Sequence, residues 1–205
     1  MIVGRSFVWL HFPKTGGHTV AAAIRAAAAG REDVVFDRED TNVEGWHDTL
    51  PQRVERDRSF DPSGRTVISG IRRLPWWLLS RVHYEASKPP HHTASRAMIC
   101  RGEFYENNGR INRADAHAAD FGAPVDRWIR LEHLADDFVT HFEGLLGPRV
   151  HRAAAKLRKV VNPTRLDYVK SLDFYFTPEE LDGLYQANPA WAAMERQVYG
   201  DLLRL

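Results

Sequence analysis

Short apolar runs alternate along this chain with longer segments whose apolar residues recur at helical spacing. The runs at 6–10, 33–36, 66–71 and 126–131 have the length of strands, and the third is apolar enough for a buried parallel strand. Strands that alternate with helices are typical of an α/β fold with a parallel sheet. In such a fold the ligand site lies at the carboxyl ends of the strands.

The helices are predicted from apolar spacing, capping residues and breakers. The alanine-rich segment 20–29 has strong helix composition, and Gly30 stands where a C′ glycine would end it. Leu134, Phe138 and Phe142 recur at helical spacing and predict a second clear helix. A helix is predicted with Pro75 in its first turn, another from Thr93 and a short one over 112–120. Two more are predicted near the end of the chain, one capped by Thr177 and one that starts at Asn188.

The segment His-Phe-Pro-Lys-Thr-Gly-Gly-His-Thr, residues 11–19, lies between the first strand and the first helix. A strand, a glycine-containing turn and a helix point backbone N–H groups and the positive end of a helix dipole at one spot. Lys14 adds a positive charge at the mouth of this turn. The segment therefore predicts a site for a phosphate or sulfate group.

This order of residues differs from the common nucleotide loop. A Walker A loop reads G-x-x-x-x-G-K-[ST], with its lysine after the last glycine. Here Lys14 precedes Gly16 by two positions. The order Pro-Lys-Thr-Gly-Gly resembles instead the 5′-phosphosulfate loop of the sulfotransferases, and most closely the Golgi carbohydrate and related bacterial branches, where the loop reads close to H-I-P-K-T-G-G-T-S.

The resemblance implies a fold, a donor and a set of ligand-binding residues. The implied fold is a three-layer P-loop-like α/β fold with a central, mostly parallel sheet flanked by helices. The implied donor is 3′-phosphoadenosine-5′-phosphosulfate (PAPS), which leaves as PAP. His18 and Thr19 stand where the family pattern has Thr-Ser. The residues expected to hold the 5′-phosphosulfate are Pro13, Lys14, Thr15, Gly16, Gly17, His18 and Thr19.

A second element resembles the part of these enzymes that binds the 3′-phosphate, whose pattern is roughly R-x-P-x-x-R-x-x-S. Arg72 follows the third strand, and Ser80 lies about two turns into the next helix. An arginine fork and a hydroxyl can hold one phosphate from two sides. One extra residue before Pro75 leaves Arg73 as an alternative to Arg72. Together the two elements account for a whole PAPS molecule.

The chemistry assigns roles to two side chains. Lys14 would stabilise the charge that builds on the bridging oxygen as the sulfuryl group leaves, so no metal is required. The acceptor hydroxyl needs a base whose pKa lies near working pH, which favours a histidine. We select His47, because related enzymes place a catalytic histidine or glutamate in this region. The alternative bases are His11, His18, His83, Asp40, Glu44 and Glu132.

Composition and charge set further bounds. The chain has 205 residues, which fits a single domain over 1–205. A formal charge of +1 gives no overall field that would attract nucleic acid or an anionic membrane. A single cysteine, Cys100, excludes an internal disulfide and a multi-cysteine metal site.

The sequence says less about the cellular location of the protein and about the residues that bind the acceptor. The first apolar run ends at Pro13 and is too short for a signal sequence or a membrane span, so we expect a cytoplasmic enzyme of bacterial type. Residues 84–121, rich in His, Arg, Asn and aromatic residues, would form an acceptor wall or lid, or else ordinary surface helices. Residues 159–165 resemble the family's late loop over the nucleotide.

The expected function is transfer of a sulfuryl group from PAPS to a hydroxyl of a small-molecule, sugar or lipid acceptor. Two other classes remain open. One is a P-loop kinase that uses Mg-ATP, against which stands the position of Lys14. The other is a non-catalytic nucleotide- or sulfate-binding module, which the histidine at position 18 leaves possible.

Overall fold

A computed structural model describes residues 1–37, 46–122, 124–157 and 168–205. Its strands are β1 (Ile2–Gly4), β2 (Phe7–Leu10), β3 (Val34–Phe36), β4 (Thr66–Ile71), β5 (Glu103–Tyr105), β6 (Ile111–Arg113) and β7 (Arg127–Arg130). Its helices are α1 (Gly17–Ala27), α2 (Leu50–Arg56), α3 (Leu74–Ala86), α4 (Arg96–Cys100), α5 (Ala114–Gly122), α6 (Leu134–Leu146), α7 (Arg149–Leu157), α8 (Pro178–Ala187) and α9 (Pro189–Tyr199). A 3₁₀ turn covers Leu131–His133.

The chain divides into two compact units, which are described separately. The first unit holds residues 1–71 and 123–163, and the second holds 72–122 and 164–205. The single domain expected over 1–205 stays a prediction. The segment 84–121, expected as an acceptor wall or lid, belongs to the second unit.

The first unit is built on a five-stranded mixed sheet of order β3-β1-β2-β4-β7. β2, β4 and β7 are parallel, with Trp9 opposite Ile68 and Ser69 opposite Trp128. β1 runs antiparallel to both β2 and β3. The predicted parallel arrangement is therefore confirmed for β2, β4 and β7, and the sheet as a whole is mixed rather than mostly parallel. Sequence reasoning missed β1 because it has three residues and directly precedes a turn.

Both faces of the sheet are buried at β2. Phe7 and Trp9 of β2 face a core formed with α1, α6 and α7, in which Ile24 and Phe142 are fully buried. Val8 and Leu10 of the same strand face a smaller core that includes Leu50 of α2. Apolar side chains on both faces explain why this strand reads as a continuous apolar run.

Helix α1 packs closely through its small side chains. Ala21, Ala23 and Ala27 are almost fully buried against the sheet and neighbouring helices. The helix ends earlier than predicted, since Ala28 is its C-cap and Gly30 lies two residues further on with φ of 81°. Gly30 therefore serves the turn after the helix rather than the C′ position.

The second unit packs α3, α5, α8 and α9 around buried aromatic rings. The ring centroids of Trp77 and Trp191 lie 4.5 Å apart, and Phe104 meets Trp77 edge-on at 5.5 Å. The capping box predicted at Thr177 is present, because its side chain accepts from the N–H of Glu180. The predicted α9 also starts after Asn188.

The helix predicted from Thr93 is much shorter than expected. It runs only over Arg96–Cys100, and a hairpin of β5 and β6 follows. Gly102 (φ 75°) ends it, where a Cβ would lie 2.3 Å from Asn188 Nδ2. A left-handed glycine at that point stops helical propagation, which apolar spacing alone does not reveal.

A buried polar network joins the start of α3 to α9. Glu195 is fully buried and accepts from Arg73 Nη1 at 3.1 Å, from the Leu74 N–H at 2.8 Å and from Tyr185 Oη at 2.8 Å. Burial raises the pKa of Glu195, and these hydrogen bonds only partly offset that effect. Arg73 also binds Asp201 and stacks on the ring of Tyr199.

No helix within the described ranges is both long and apolar enough to span a membrane.

Candidate anion-binding site

The predicted loop connects β2 to α1 and contains two residues in the left-handed region. Lys14 has φ of 67° and Gly16 has φ of 83°. Gly16 is the N-cap of α1, and a Cβ there would lie 2.7 Å from Leu131 Cδ1. A lysine with positive φ is a strained conformation that the surrounding structure must impose, and such strain clusters at functional sites.

Thr15 anchors the loop to the sheet below it. Its side chain is fully buried, and its hydroxyl donates to the Phe12 carbonyl at 2.8 Å. A Cβ at Gly70 of β4 would lie 2.4 Å from Thr15 Oγ1, so the glycine makes room for the loop. The hydroxyl of Thr15 therefore has a structural role, and its contribution to a ligand would come from the backbone.

The start of α1 presents positive charge that the helix itself does not compensate. The N–H groups of Thr19 and Val20 donate to the Gly16 carbonyl, while those of Gly17 and His18 make no backbone hydrogen bond within the described residues. Gly16 has no side chain to cap the helix, and the first turn carries no acidic residue. Unsatisfied N–H groups at a helix start are donors for an anion.

Histidine and tryptophan side chains gather beside this helix start. The ring centroid of His11 lies 4.9 Å from that of His18, 4.5 Å from that of His47 and 4.7 Å from that of Trp46. His11 and Trp46 are buried, whereas His18 and His47 are exposed. The structure thus brings the predicted base His47 next to the predicted anion loop.

His11 is neutral at neutral pH. Burial, followed by the nearby charges of His47, His18 and the N-terminus, lowers its pKa well below the ordinary value of 6.5. Its Nδ1 is buried and makes no hydrogen bond with any described residue. This residue is therefore a poor proton acceptor, which argues against it as the base.

The position of His47 suits a base. Its Nδ1 lies 3.1 Å from the carbonyl oxygen of His11, and a carbonyl can only accept, so Nδ1 carries the proton. In the neutral ring, Nε2 then holds the lone pair that can take a proton. The adjacent Asp48 binds Arg56 at 2.8 Å, so it has another partner than His47.

The other candidate bases are placed differently. Glu132 lies exposed in the 3₁₀ turn after β7. His83 belongs to the second unit, where it is stacked on Tyr168 and lies within hydrogen-bond distance of Tyr175 Oη. Asp40 and Glu44, and the late loop 159–165, lie outside the described residues.

The predicted 3′-phosphate element belongs to the second unit. Arg72 is half-buried and Ser80 is 3% exposed, in the second turn of α3. The guanidinium of Arg73 is held by Glu195 and Asp201. An arginine already bound to two carboxylates is a poor phosphate ligand, which argues against Arg73 in this role.

Among the described residues, no group of three or more His, Cys, Asp or Glu side chains is arranged to hold a metal ion. Sequence reasoning considered His11 as a base and missed its packing role at the centre of the histidine cluster. Trp46 and Gly70 were also missed as parts of the site. The signal for His11 was its place directly after a buried strand.

Comparisons of the chain with models of known protein families, with curated proteins and with solved structures gave no match. The function is therefore argued from the chemistry of the site.

Proposed function

We propose that this protein is a PAPS-dependent sulfotransferase with a three-layer P-loop-like fold, which transfers a sulfuryl group to a hydroxyl of a small-molecule, sugar or lipid acceptor. The observation that carries the proposal is the loop between β2 and α1. The helix that starts there has no acidic residue in its first turn and no side-chain cap. The loop also contains Lys14 in a left-handed conformation, and the ring of His47, the proposed base, lies beside it.

The anion contacts of this loop follow from its backbone. The N–H groups of Gly17 and His18 are donors without a backbone acceptor in the described part of the chain. Gly16 has no side chain that could cap them, and the space where its Cβ would lie is occupied by Leu131 Cδ1. Lys14 adds a full charge to the partial charge of the helix dipole. These groups match a phosphosulfate, which carries several acceptor oxygens.

PAPS supplies the sulfuryl group and departs as PAP. In the proposed transfer, His47 Nε2 takes the proton of the acceptor hydroxyl while the acceptor oxygen bonds to sulfur. The bond between sulfur and the bridging oxygen breaks, and its electron pair stays on the 5′-phosphate. Lys14 stabilises that charge, which is greater in the transition state than in the ground state.

The role of Lys14 can be tested by separating turnover from binding. Lys14→Ala should reduce turnover of PAPS by roughly 10²–10³-fold, as is typical for loss of one donor at a developing charge. Its affinity for PAP, measured by calorimetry, should fall much less. Lys156→Ala is the matched control, because Lys156 is exposed on α7 and should leave both quantities unchanged. Equal losses of turnover and affinity in Lys14→Ala would contradict the role.

The proposed 3′-phosphate contact distinguishes PAPS from other nucleotides. Arg72→Ala should weaken binding of PAP by about tenfold or more and leave binding of 5′-AMP nearly unchanged, since 5′-AMP lacks the 3′-phosphate. The measurement is calorimetric titration of both nucleotides. A uniform loss for PAP and 5′-AMP would contradict the assignment to Arg72.

A further inference from the structure

The backbone of His11 is fixed to the central strands of the first unit. The N–H of Phe12 donates to the Leu10 carbonyl at 3.1 Å, which turns the chain sharply at His11. Ser69 Oγ of the neighbouring strand β4 donates to the same carbonyl at 3.2 Å. His11 therefore holds a defined place at the carboxyl end of β2.

The ring of His11 occupies the space beside the first residue of α1. A Cβ at Gly17 would lie 1.7 Å from His11 Cδ2 and 1.9 Å from His11 Nε2. Separations this short cannot occur between real atoms. The ring and the backbone of Gly17 are thus in direct contact, and each limits the position of the other.

The same residue contacts His47 in two ways. Its carbonyl oxygen lies 3.1 Å from His47 Nδ1, and its ring lies 4.5 Å from the His47 ring at an angle of 40°. Trp46 also packs against His11, with its ring nearly perpendicular to the His11 ring. One residue therefore contacts both the anion-binding helix start and the candidate base.

We propose that His11 is a positioning residue that couples the start of α1 to His47. The carbonyl of His11 holds His47 in the tautomer with Nε2 as proton acceptor. The ring of His11 sets the distance between the His47 imidazole and the N–H groups of Gly17 and His18. The proposal deepens the proposed function and rests on it for the role of His47 as a base. The contacts themselves can be tested without any turnover.

The first test is nuclear magnetic resonance of the full chain labelled with ¹⁵N-histidine. The spectrum of His47→Gln assigns the His47 signals. At pH above the titration of the ring, His47 should show a protonated Nδ1 and an unprotonated Nε2. A protonated Nε2 overturns the proposal, whether or not the protein turns over PAPS.

The second test is a double-mutant cycle with PAP as the probe. Gly17→Ala should displace the His11 ring, shift the His47 signals and weaken PAP binding by about tenfold, which corresponds to ~1.4 kcal/mol. In His11→Ala combined with Gly17→Ala, the space is free again, so part of the affinity should return. Gly144→Ala is the matched control, because Gly144 is also helical and a Cβ there meets nothing within 4 Å.

Strictly additive losses in the cycle, or His47 signals in Gly17→Ala that match those of the wild type, overturn the coupling. His11→Phe guards against loss of folding, because it keeps a ring in the same space and should preserve the His47 tautomer. Failure of the wild type to bind PAP would contradict the proposed function, and the tautomer and the His47 shift in Gly17→Ala would still decide the proposal about His11.

Discussion

At the scale of single residues, the site depends on side chains with opposite environments. His11 is buried and neutral, whereas His47, whose ring lies 4.5 Å away, is exposed. Lys14 lies in the loop with a positive φ that lysine rarely adopts. Such a residue keeps its conformation only where its surroundings impose it, and the next residue, Thr15, is fixed by its hydrogen bond to the Phe12 carbonyl.

The buried histidine predicts how stability depends on pH. Because the pKa of His11 is lowered in the folded protein, the unfolded chain takes up this proton at a higher pH than the folded protein does. The free energy of unfolding should therefore decrease as pH falls below about 6.5. In His11→Phe the decrease between pH 7 and pH 5 should be smaller by about 1–2 kcal/mol.

Urea unfolding at a series of pH values measures this difference. His83 and His141 also have lowered pKa values through burial, and they contribute equally in both proteins. The difference between the two curves therefore isolates His11. Parallel curves for the wild type and His11→Phe would show that His11 takes up its proton normally.

At the scale of elements, β2, the loop after it and α1 form one structural unit around the candidate anion site. β2 fixes the start of the loop, Gly70 of β4 gives it room, and Gly16 is the N-cap of α1 and packs against Leu131. The glycines at these positions are required by neighbouring atoms or by a positive φ. A substitution in this element should therefore affect binding as well as folding.

A comparison of Gly16 with Gly30 tests whether substitutions in this element affect binding as well as folding. Both have positive φ, 83° and 81°, but a Cβ at Gly16 meets Leu131 whereas a Cβ at Gly30 meets nothing within 4 Å. Each change to alanine should cost about 1–2 kcal/mol for the left-handed backbone. Gly16→Ala should cost more and should also weaken PAP binding. Equal stability and equal PAP affinity in the two variants would contradict the proposed role of the loop.

Much of this element was predictable from the sequence, and the reasons are local. The apolar run before Pro13, the glycines and the alanine-rich helix are all signals within one stretch of chain. β1 was not predictable in the same way, because three residues are too few to show a strand pattern. The short α4 was missed because it is stopped by Gly102, which packs against Asn188, distant in sequence. The contact between His11 and Gly17 depends on side-chain direction, which the order of residues does not give.

At the scale of the whole molecule, each unit has its own buried core, and the second unit also has a buried polar network. The second unit relies on Glu195, which binds Arg73, the Leu74 N–H and Tyr185 in a buried position. This network connects α3, α8 and α9 within that unit. Breaking it leaves Arg73 without one of its two carboxylates.

Glu195→Ala should destabilise the protein by about 3–5 kcal/mol, because it removes one partner of a buried charged pair. Tyr185→Phe removes two hydrogen bonds, one that the hydroxyl donates to Glu195 and one that it accepts from the Leu203 N–H, and should cost about 1–2 kcal/mol. Glu103→Ala, which breaks an exposed pair with Arg101, is the control and should change stability little. Urea unfolding measures all three. A small effect of Glu195→Ala, comparable to that of Glu103→Ala, would show that the network does not stabilise the fold.

The central claim is that the loop between β2 and α1 belongs to a donor site for PAPS. Calorimetric titration with PAP and with ATP, each with and without magnesium, tests it most directly. The account predicts tight binding of PAP that does not depend on magnesium, and much weaker binding of ATP. Preference for ATP, and only with magnesium, would contradict the account and favour a kinase.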